Sequence, residues 1–374
     1  MKILHIADFH LDSAFSGFDK ESADKRREEL RECFARALKI ARDKGVELIL
    51  IPGDLFDTPF CTGETRRMVF AAIKNAECPV VIAPGNHDYY SKNGTYADKN
   101  LPENAFVFTS SELGRFDFDE LGVSVIGYGF TSDRYEGNPL ADEVPLSSEN
   151  VNIYCAHTDL GATFSKYAPT NPNAIARNGF AYAALGHVHK PDAPSKIADT
   201  VIAYSGFPQG RSFDELGEGG AYIVDLDRAT KSVTLERITL STMNYEIEKL
   251  DITSLADDED VIREISSLAL AKGYGSNTAL RVVLVGSVPS HYTPSAKRIE
   301  GSSQELGLLI LQIRNECVSN FDLDYLESDM SVRGEVYRRL LPLINSDNEE
   351  ERATGALALK FALASLDKRE LSID

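Results

Sequence analysis

Val46-Glu47-Leu48-Ile49-Leu50-Ile51-Pro52-Gly53-Asp54-Leu55-Phe56-Asp57 is the stretch that decides the fold. Its apolar half reads as a strand, and Pro52-Gly53 ends it just before two aspartates. Upstream, Leu30, Cys33, Phe34, Ala37, Leu38 and Ala41 recur at helical spacing, with Gly45 where a C-cap glycine belongs. Further upstream, residues 3–7 form a short apolar run ending at Asp8-Phe9-His10. Downstream, Val69, Ala72, Ile73 and Ala76 share one helix face, and Pro79-Val80-Val81-Ile82-Ala83 runs into Pro84-Gly85-Asn86-His87-Asp88. Strand, helix, strand, helix, strand predicts an α/β fold with a parallel sheet and crossover helices.

The same pattern continues. Val123–Ile126 and Val151–Cys155 read as strands, the second followed by His157. Residues 161–178 are mostly loop with a short helix. Phe180–Leu185 is a strand leading to Gly186-His187-Val188-His189, and residues 201–204, 220–224 and 232–236 supply closing strands, the last two as a hairpin. Beyond residue 240 a strand at 247–252, a helix from Val261 to Gly273 and a strand at 279–285 predict a small βαβ unit. From Ser302 the chain is expected to be helical, with a Ser302/Glu305 capping box before Leu306, Leu309, Ile310 and Ile313. Helices are also predicted near residues 332–344 and 350–366.

At 374 residues, 43% of them hydrophobic and 26% charged, the chain has material for two or three domains with a real core. Its five cysteines show no C-x-x-C pairing and read as buried thiols in a reducing compartment. The N-terminus enters a strand without a signal-peptide layout, and no apolar run reaches membrane-span length, so a cytoplasmic location is expected. A formal net charge of −19 argues against non-specific adhesion to nucleic acid over the whole surface. It leaves a polyanionic substrate open, because divalent cations invert the local sign.

Asp8 and His10, Asp54, Asn86 and His87, His157, and His187 with His189 each follow a strand by a residue or two. In a parallel sheet such positions lie along one edge and can converge. Five of the seven histidines fall in these loops; His5, inside the first strand, and His291 are left over. Imidazoles and carboxylates without thiolates suit two borderline divalent ions. Asp54 is the candidate bridge between them, because Gly53 removes bulk beside it. Taken singly, Asp54 and Asp57 could simply end a strand in a turn.

In chain order, D-x-H, G-D-x-x-D, G-N-H-D, a single His after a strand and G-H-x-H resemble the motif series of the calcineurin-like metallophosphoesterases. Ala7–Ser13, Gly53–Asp57, Leu185–Lys190 and Tyr204–Arg211 look like the bacterial SbcD and YhaO nuclease group, related to the nuclease subunit of the double-strand-break repair complex. The match is specific over residues 1–240 and loose beyond. It implies a β-sandwich core flanked by helices (four-layer αββα) in a catalytic domain 1–240. A βαβ capping domain 241–295 and a helical region 296–374 would follow.

By that resemblance Asp8, His10, Asp54 and His189 would hold one metal, and Asp54, Asn86, His157 and His187 the other. The ions would be manganese, with iron, zinc or magnesium possible in the same site. His87 would face the scissile phosphate as acid or transition-state stabiliser, with Asp88 orienting its ring. The chain departs from the group at Ala14 and Ser205, where proline is preferred, and at Asp57, where the repair-complex relatives carry histidine. The implied function is a DNA exonuclease in repair or recombination, a homodimer pairing with a coiled-coil ABC-type ATPase (SbcC/YhaN-like). The helical tail would be its dock, where Val332, Val336, Leu340 and Leu343 either present an apolar face or pack on their own domain.

The chemistry expected is attack by a metal-bridging hydroxide, generated by lowering the pKa of a bound water. Tyr89 and Tyr90 either stack on a base or wall the cleft, and Arg211 and Lys190 are candidate phosphate contacts. Two other functions share the residues: hydrolysis of small phosphodiesters or phosphomonoesters, favoured by the acidity, and a non-catalytic scaffold that kept the fold.

Overall fold

Strand β1 (Lys2–His5) leads to helix α1 (Lys20–Asp43), whose first turn is capped by the Asp19 carboxylate, and α1 returns the chain to β2 (Leu48–Ile51). Helix α2 (Gly63–Lys74), capped by Thr62, repeats the crossover into β3 (Val80–Ile82), and β4 (Ala105–Val107) pairs parallel beside it. The computed structural model describes residues 1–140, 144, 146–190, 193–289, 292–320 and 323–366; His291 lies outside them. The chain divides into two units, Met1–Glu246 and Ile247–Asp374.

In the first unit, β1 to β4 are joined by the hairpin β11 (Gly220–Leu226) and β12 (Val233–Thr239) in the order β12-β11-β1-β2-β3-β4. Strand β11 runs antiparallel to β1, so this sheet is mixed. The second sheet contains β5 (Gly114–Phe118), β6 (Val123–Gly127), β7 (Val151–His157), β8 (Tyr182–Gly186), β9 (Ser195–Ile197) and β10 (Thr200–Tyr204), ordered β5-β6-β7-β8-β10-β9. Its four central strands are parallel and its edges antiparallel. The short helix foreseen between residues 161 and 178 is α3 (Pro172–Arg177).

Alternation along the strands sorts side chains between layers. Ile3, Leu48 and Leu50 cluster with Val125, Ile153 and Ala184 of the second sheet. Leu4, Ile49 and Ile51 face the other way, onto Leu30, Phe34 and Leu38 of α1. Tyr154, Ala183 and Ile202 pack outward with Ala174 and Ile175 of α3. Helix, sheet, sheet and helix therefore stack as four layers. Each fully buried Leu or Ile contributes roughly 1.5–3 kcal/mol to that stacking. His5 joins the two sheets: its Nδ1 lies 2.7 Å from the Tyr182 hydroxyl and its Nε2 3.1 Å from the Leu185 carbonyl.

The second unit has its own core, in which Val261 and Ile265 of α4 (Asp258–Lys272) pack on Leu280, Val282 and Leu311. Its sheet is ordered β13 (Asn244–Asp251), β14 (Thr278–Val285), β16 (Ile310–Asn315), and a separate two-stranded ladder joins β15 (Ser287–Pro289) to β17 (Val318–Asn320). The helix expected from Ser302 is not formed. Ser302 instead closes helix α5 (Ala296–Gly301), donating its hydroxyl to the Ile299 carbonyl. Residues 310–315 run as a strand parallel to β14, which buries Leu311 and Ile313 in the sheet. A partner strand with an open edge outweighed the local helical spacing. Strand β16 also lies beyond the 295/296 boundary that the sequence suggested.

Helices α6 (Leu323–Ser328), α7 (Val332–Ile344) and α8 (Glu349–Leu366) follow. Leu326, Tyr337, Leu359 and Leu363 form their core, with Val336 and Leu340 half-buried against it. Val332 and Leu343 are 65% and 38% exposed, so the expected apolar stripe is divided between packing and solvent. Among the described residues no helix is long and apolar enough to cross a membrane.

Candidate metal centre

The loops after β1 and β2 run side by side: the Asp8 amide donates to the Gly53 carbonyl, that of His10 to Asp54 and that of Leu11 to Leu55, at 2.9–3.2 Å. This extends the parallel pairing past the strand ends and sets Asp8 and His10 against Asp54. The loop after β3 is fastened to them by Asp88. Its buried carboxylate accepts from the amides of Asp54, Leu55, Phe56 and Gly85 and from the Tyr96 hydroxyl. Burial and the neighbouring Asp54 charge push the Asp88 carboxyl up. Asp88 therefore does not orient His87 as the resemblance implied. His87 Nδ1 instead lies 3.3 Å from the Asp57 carbonyl oxygen.

Backbone strain collects in these loops. Asp8 (φ 55°), His10 (φ 47°), Asp54 (φ 51°) and His187 (φ 110°) all hold positive φ without being glycine. Each such residue costs roughly 1–3 kcal/mol and persists only where its surroundings over-determine it. Close approach has the same cause at two glycines. A Cβ on Gly53 would fall 2.4 Å from His157 Nδ1, and one on Gly85 would fall 2.2 Å from Asp54 Oδ1.

Three histidines share one arrangement. Nδ1 of His10 lies 3.1 Å from Asp57 Oδ1, that of His189 lies 2.8 Å from Glu215 Oε1, and that of His157 lies 3.2 Å from the Pro52 carbonyl oxygen. These neighbours only accept, so in the tautomers that would bind a metal each Nδ1 donates to them and each Nε2 is the ligand atom. His10 Nε2 then faces His189 Nε2 at 3.2 Å, and His157 Nε2 lies 2.9 Å from Asn86 Oδ1. Burial lowers His10 to about 4, keeping it neutral. Burial also opposes protonation of His189, but the hydrogen bond to Glu215 and the Asp8 charge outweigh it and raise this ring.

The carboxylates lie against these nitrogens. Asp54 Oδ2 is 3.4 Å from His157 Nε2 and 3.6 Å from His10 Nε2, and its Oδ1 accepts the His87 amide at 3.0 Å. Burial works against its charge, yet His157 and His10 hold it ionised, below the usual range. Asp8 accepts the His187 amide at 3.1 Å, and burial pushes its carboxyl up. Ligand atoms of Asp8, His10 and His189 lie within 4.8 Å of one another, as do those of Asp8, Asp54 and His157 and those of His10, Asp54 and His87. Asp8, His10 and Asp54 each belong to two of the three groups.

A cation resolves what these contacts leave unsatisfied. In those tautomers His10 and His189 turn two lone pairs to each other at 3.2 Å and His157 turns one to the Asn86 amide oxygen at 2.9 Å, pairs that a shared cation would join. Adjacent donor atoms around an ion at roughly 2.1 Å are themselves about 3 Å apart, so both pairs fit as neighbours on a metal. Acceptors turned inward, with hydrogens held outward by carboxylates and a carbonyl, match the way metal-binding histidines are supported.

The His187 ring packs against His157 and Tyr167, outside the three groups, and burial lowers it to about 4. His87 is exposed, its ring edge-on to His10 with centroids 4.6 Å apart, at the mouth of the buried cluster. Tyr89 and Tyr90 are half-buried, each packed against a different apolar cluster. Lys190 is exposed and lines a cavity of about 450 Å³ that adjoins His189. Arg211 is not turned to a phosphate path: its guanidinium donates to Glu215 and Ser13 and lies 3.6 Å from Asp57. Sequence reasoning missed Glu215 altogether and saw in Asp57 a motif position, a turn residue or a departure from the relatives, but not the partner of His10. The signal for Glu215 was its place four residues after Arg211.

The profile of the calcineurin-like phosphoesterase family matches residues 1–191. The chain belongs to that family. It is a metal-dependent hydrolase of ester bonds, and its layered sheets and helices are those of the calcineurin-like fold. Its relatives include the uncharacterized metallophosphoesterase YhaO of Bacillus subtilis, 26% identical over 301 residues that cover 77% of this chain and 72% of YhaO. The DNA double-strand break repair protein Mre11 of Saccharolobus solfataricus is 24% identical over 275 residues, 69% of this chain and 70% of that one. The SbcD component of the nuclease SbcCD from Staphylococcus epidermidis is 25% identical over 293 residues, 71% and 75% respectively. All three alignments extend beyond the part that the family profile covers.

Proposed function

We propose that this calcineurin-like phosphoesterase is a manganese-dependent DNA nuclease of repair or recombination. The observation that carries the hydrolytic site is the inward convergence of Asp8, His10, Asp54, Asn86, His157 and His189 from separate strand ends. Asp8, His10, Asp54 and His189 would hold one ion, and Asp54, Asn86, His157 and His187 the other. Two divalent cations bound there would lower the pKa of a water and neutralise charge building on the phosphoryl group.

The chain's own residues do the rest. Asp54, within reach of both ligand groups, holds the two halves together. His87, exposed beside His10 and with Nδ1 3.3 Å from the Asp57 carbonyl oxygen, would protonate a leaving alkoxide. The 450 Å³ cavity that His189 and Lys190 line is a candidate path for the substrate's phosphate backbone. The names of Mre11 and of the nuclease SbcCD support DNA as substrate. The exposed part of the α7 stripe, Val332 and Leu343, supports docking of a coiled-coil ATPase on the helical region, with residues 1–240 as the catalytic domain of a cytoplasmic homodimer.

A second reading, hydrolysis of small phosphodiesters, draws on the net charge of −19. Metal-stripped protein re-supplied with manganese or magnesium would be followed on end-labelled single- and double-stranded DNA beside bis-p-nitrophenyl phosphate. Manganese-dependent DNA cleavage absent from His87→Ala is expected. Turnover of the small diester with DNA left intact, also in the presence of the ATPase and ATP, would favour the second reading.

A further inference from the structure

We propose that Arg211, Glu215 and Asp57 form a clamp that fixes His10 and His189 with Nδ1 outward and Nε2 inward, and so sets the affinity of that half of the metal centre. The proposal rests on the metal-centre reading above. Glu215 is 2% exposed, and one carboxylate serves both the His189 ring (2.8 Å) and Arg211, which reaches it through Nη2 (2.5 Å), Nε (3.0 Å) and its own amide (2.8 Å). On its other edge the same guanidinium lies 3.6 Å from Asp57 Oδ1 and donates to Ser13 Oγ at 3.2 Å. Ser13 in turn donates to Asp57 Oδ1, the atom that receives His10 Nδ1 at 3.1 Å. A single cation thus stands between two carboxylates, each of which holds one imidazole. The planar fork of arginine can serve both at once.

The segment that carries Arg211 is held just as closely. Arg26 of α1 donates to the Gly210 carbonyl at 2.7 Å, and the Tyr245 hydroxyl donates to the Arg211 carbonyl at 3.1 Å. The Gln209 side chain accepts the Thr242 amide at 2.8 Å and donates to the Met243 carbonyl at 3.2 Å. Gln209-Gly210-Arg211 therefore has a structural account that needs no contact with substrate. Arg211 and Glu215 are positioning residues, acting through the histidines they hold. The other half of the centre does not depend on them: His157 is turned by the Pro52 carbonyl. That asymmetry makes the clamp testable.

Full-length protein freed of metal would be titrated with manganese by calorimetry and with cobalt by visible absorption, in wild type, Glu215→Gln and Arg211→Lys. Removing support of this kind from a ligand costs roughly 10–100-fold in metal affinity. The expected result is one ion weakened by that factor with an altered cobalt spectrum, and the second bound as in wild type. Arg211→Lys, which keeps the charge and loses the fork, should behave the same way more mildly. Two ions bound at wild-type affinity with an unchanged spectrum would overturn the clamp, as would equal weakening of both. A wild-type protein that binds neither manganese nor cobalt would instead overturn the metal-centre reading. Should Glu215→Gln fail to fold, Asp57→Asn puts the same question through His10, with the same outcomes.

Discussion

His10 Nε2 and His189 Nε2 face each other at 3.2 Å while each ring gives its Nδ1 hydrogen to a carboxylate. A divalent cation between them would take both nitrogens as ligands and hold the rings at this spacing.

Metal should therefore stabilise the fold. Manganese at 100 times its dissociation constant is expected to add about 2.7 kcal/mol to stability. In a domain of this size that raises the melting temperature by roughly 5–11 °C. Asp54→Ala, which removes a residue common to two ligand groups, should abolish the shift. Differential scanning fluorimetry with and without manganese reads both, and a shift surviving in the variant would sink Asp54 as a ligand.

His87 is exposed, and its ring is held by a single backbone carbonyl. His87→Ala should keep wild-type metal stoichiometry by calorimetry and lose roughly 10²–10⁴ in hydrolytic rate. Lost stoichiometry would make His87 a ligand, in line with its nearness to His10 and Asp54.

At Gly85 a Cβ would fall 2.2 Å from Asp54 Oδ1 and 2.9 Å from the Asp54 amide nitrogen. That amide is already tied to Asp88, so the loop cannot simply yield. Gly85→Ala should lose manganese binding and cost about 1–3 kcal/mol in denaturant melts. Unchanged metal affinity would mean that the loops adjust more freely than these contacts allow.

His5 is fully buried between the sheets, and burial lowers its pKa from 6.5 to about 3. The unfolded chain thus takes up a proton below pH 6.5 that the folded chain refuses until about pH 3. Stability from the neutral ring is complete above pH 6.5 and falls as the pH drops through that window. His5→Gln keeps a donor and an acceptor without titrating. The stability difference between wild type and variant should therefore shrink by about 2 kcal/mol from pH 7 to pH 5. A pH-independent difference would show that His5 titrates alike in both states.

Much of this was legible because each piece has a local signature. Strands such as Leu48–Ile51 end at Pro-Gly or Gly-Asp, crossover helices show 3.6-residue spacing, and the histidines and aspartates that follow strands converge for topological reasons. What stayed hidden depends on partners remote in sequence. Glu215 lies in a turn with no periodicity, and its role appears only when Arg211 and His189 come beside it. Asp88 sits next to His87 in sequence, yet its carboxylate is claimed by amides more than thirty residues away. Residues 310–315 carry a helical pattern that a neighbouring strand overrides.

Strand β1 lies between β2 and the antiparallel β11. During synthesis its second edge has no mate until Gly220–Leu226 leaves the ribosome, well after Gly186-His187-Val188-His189 has emerged. The clamp on His189 needs Glu215, which emerges in the same interval. A truncated or stalled product ending before that hairpin would thus hold the histidines and aspartates of the site without the framework that aims them.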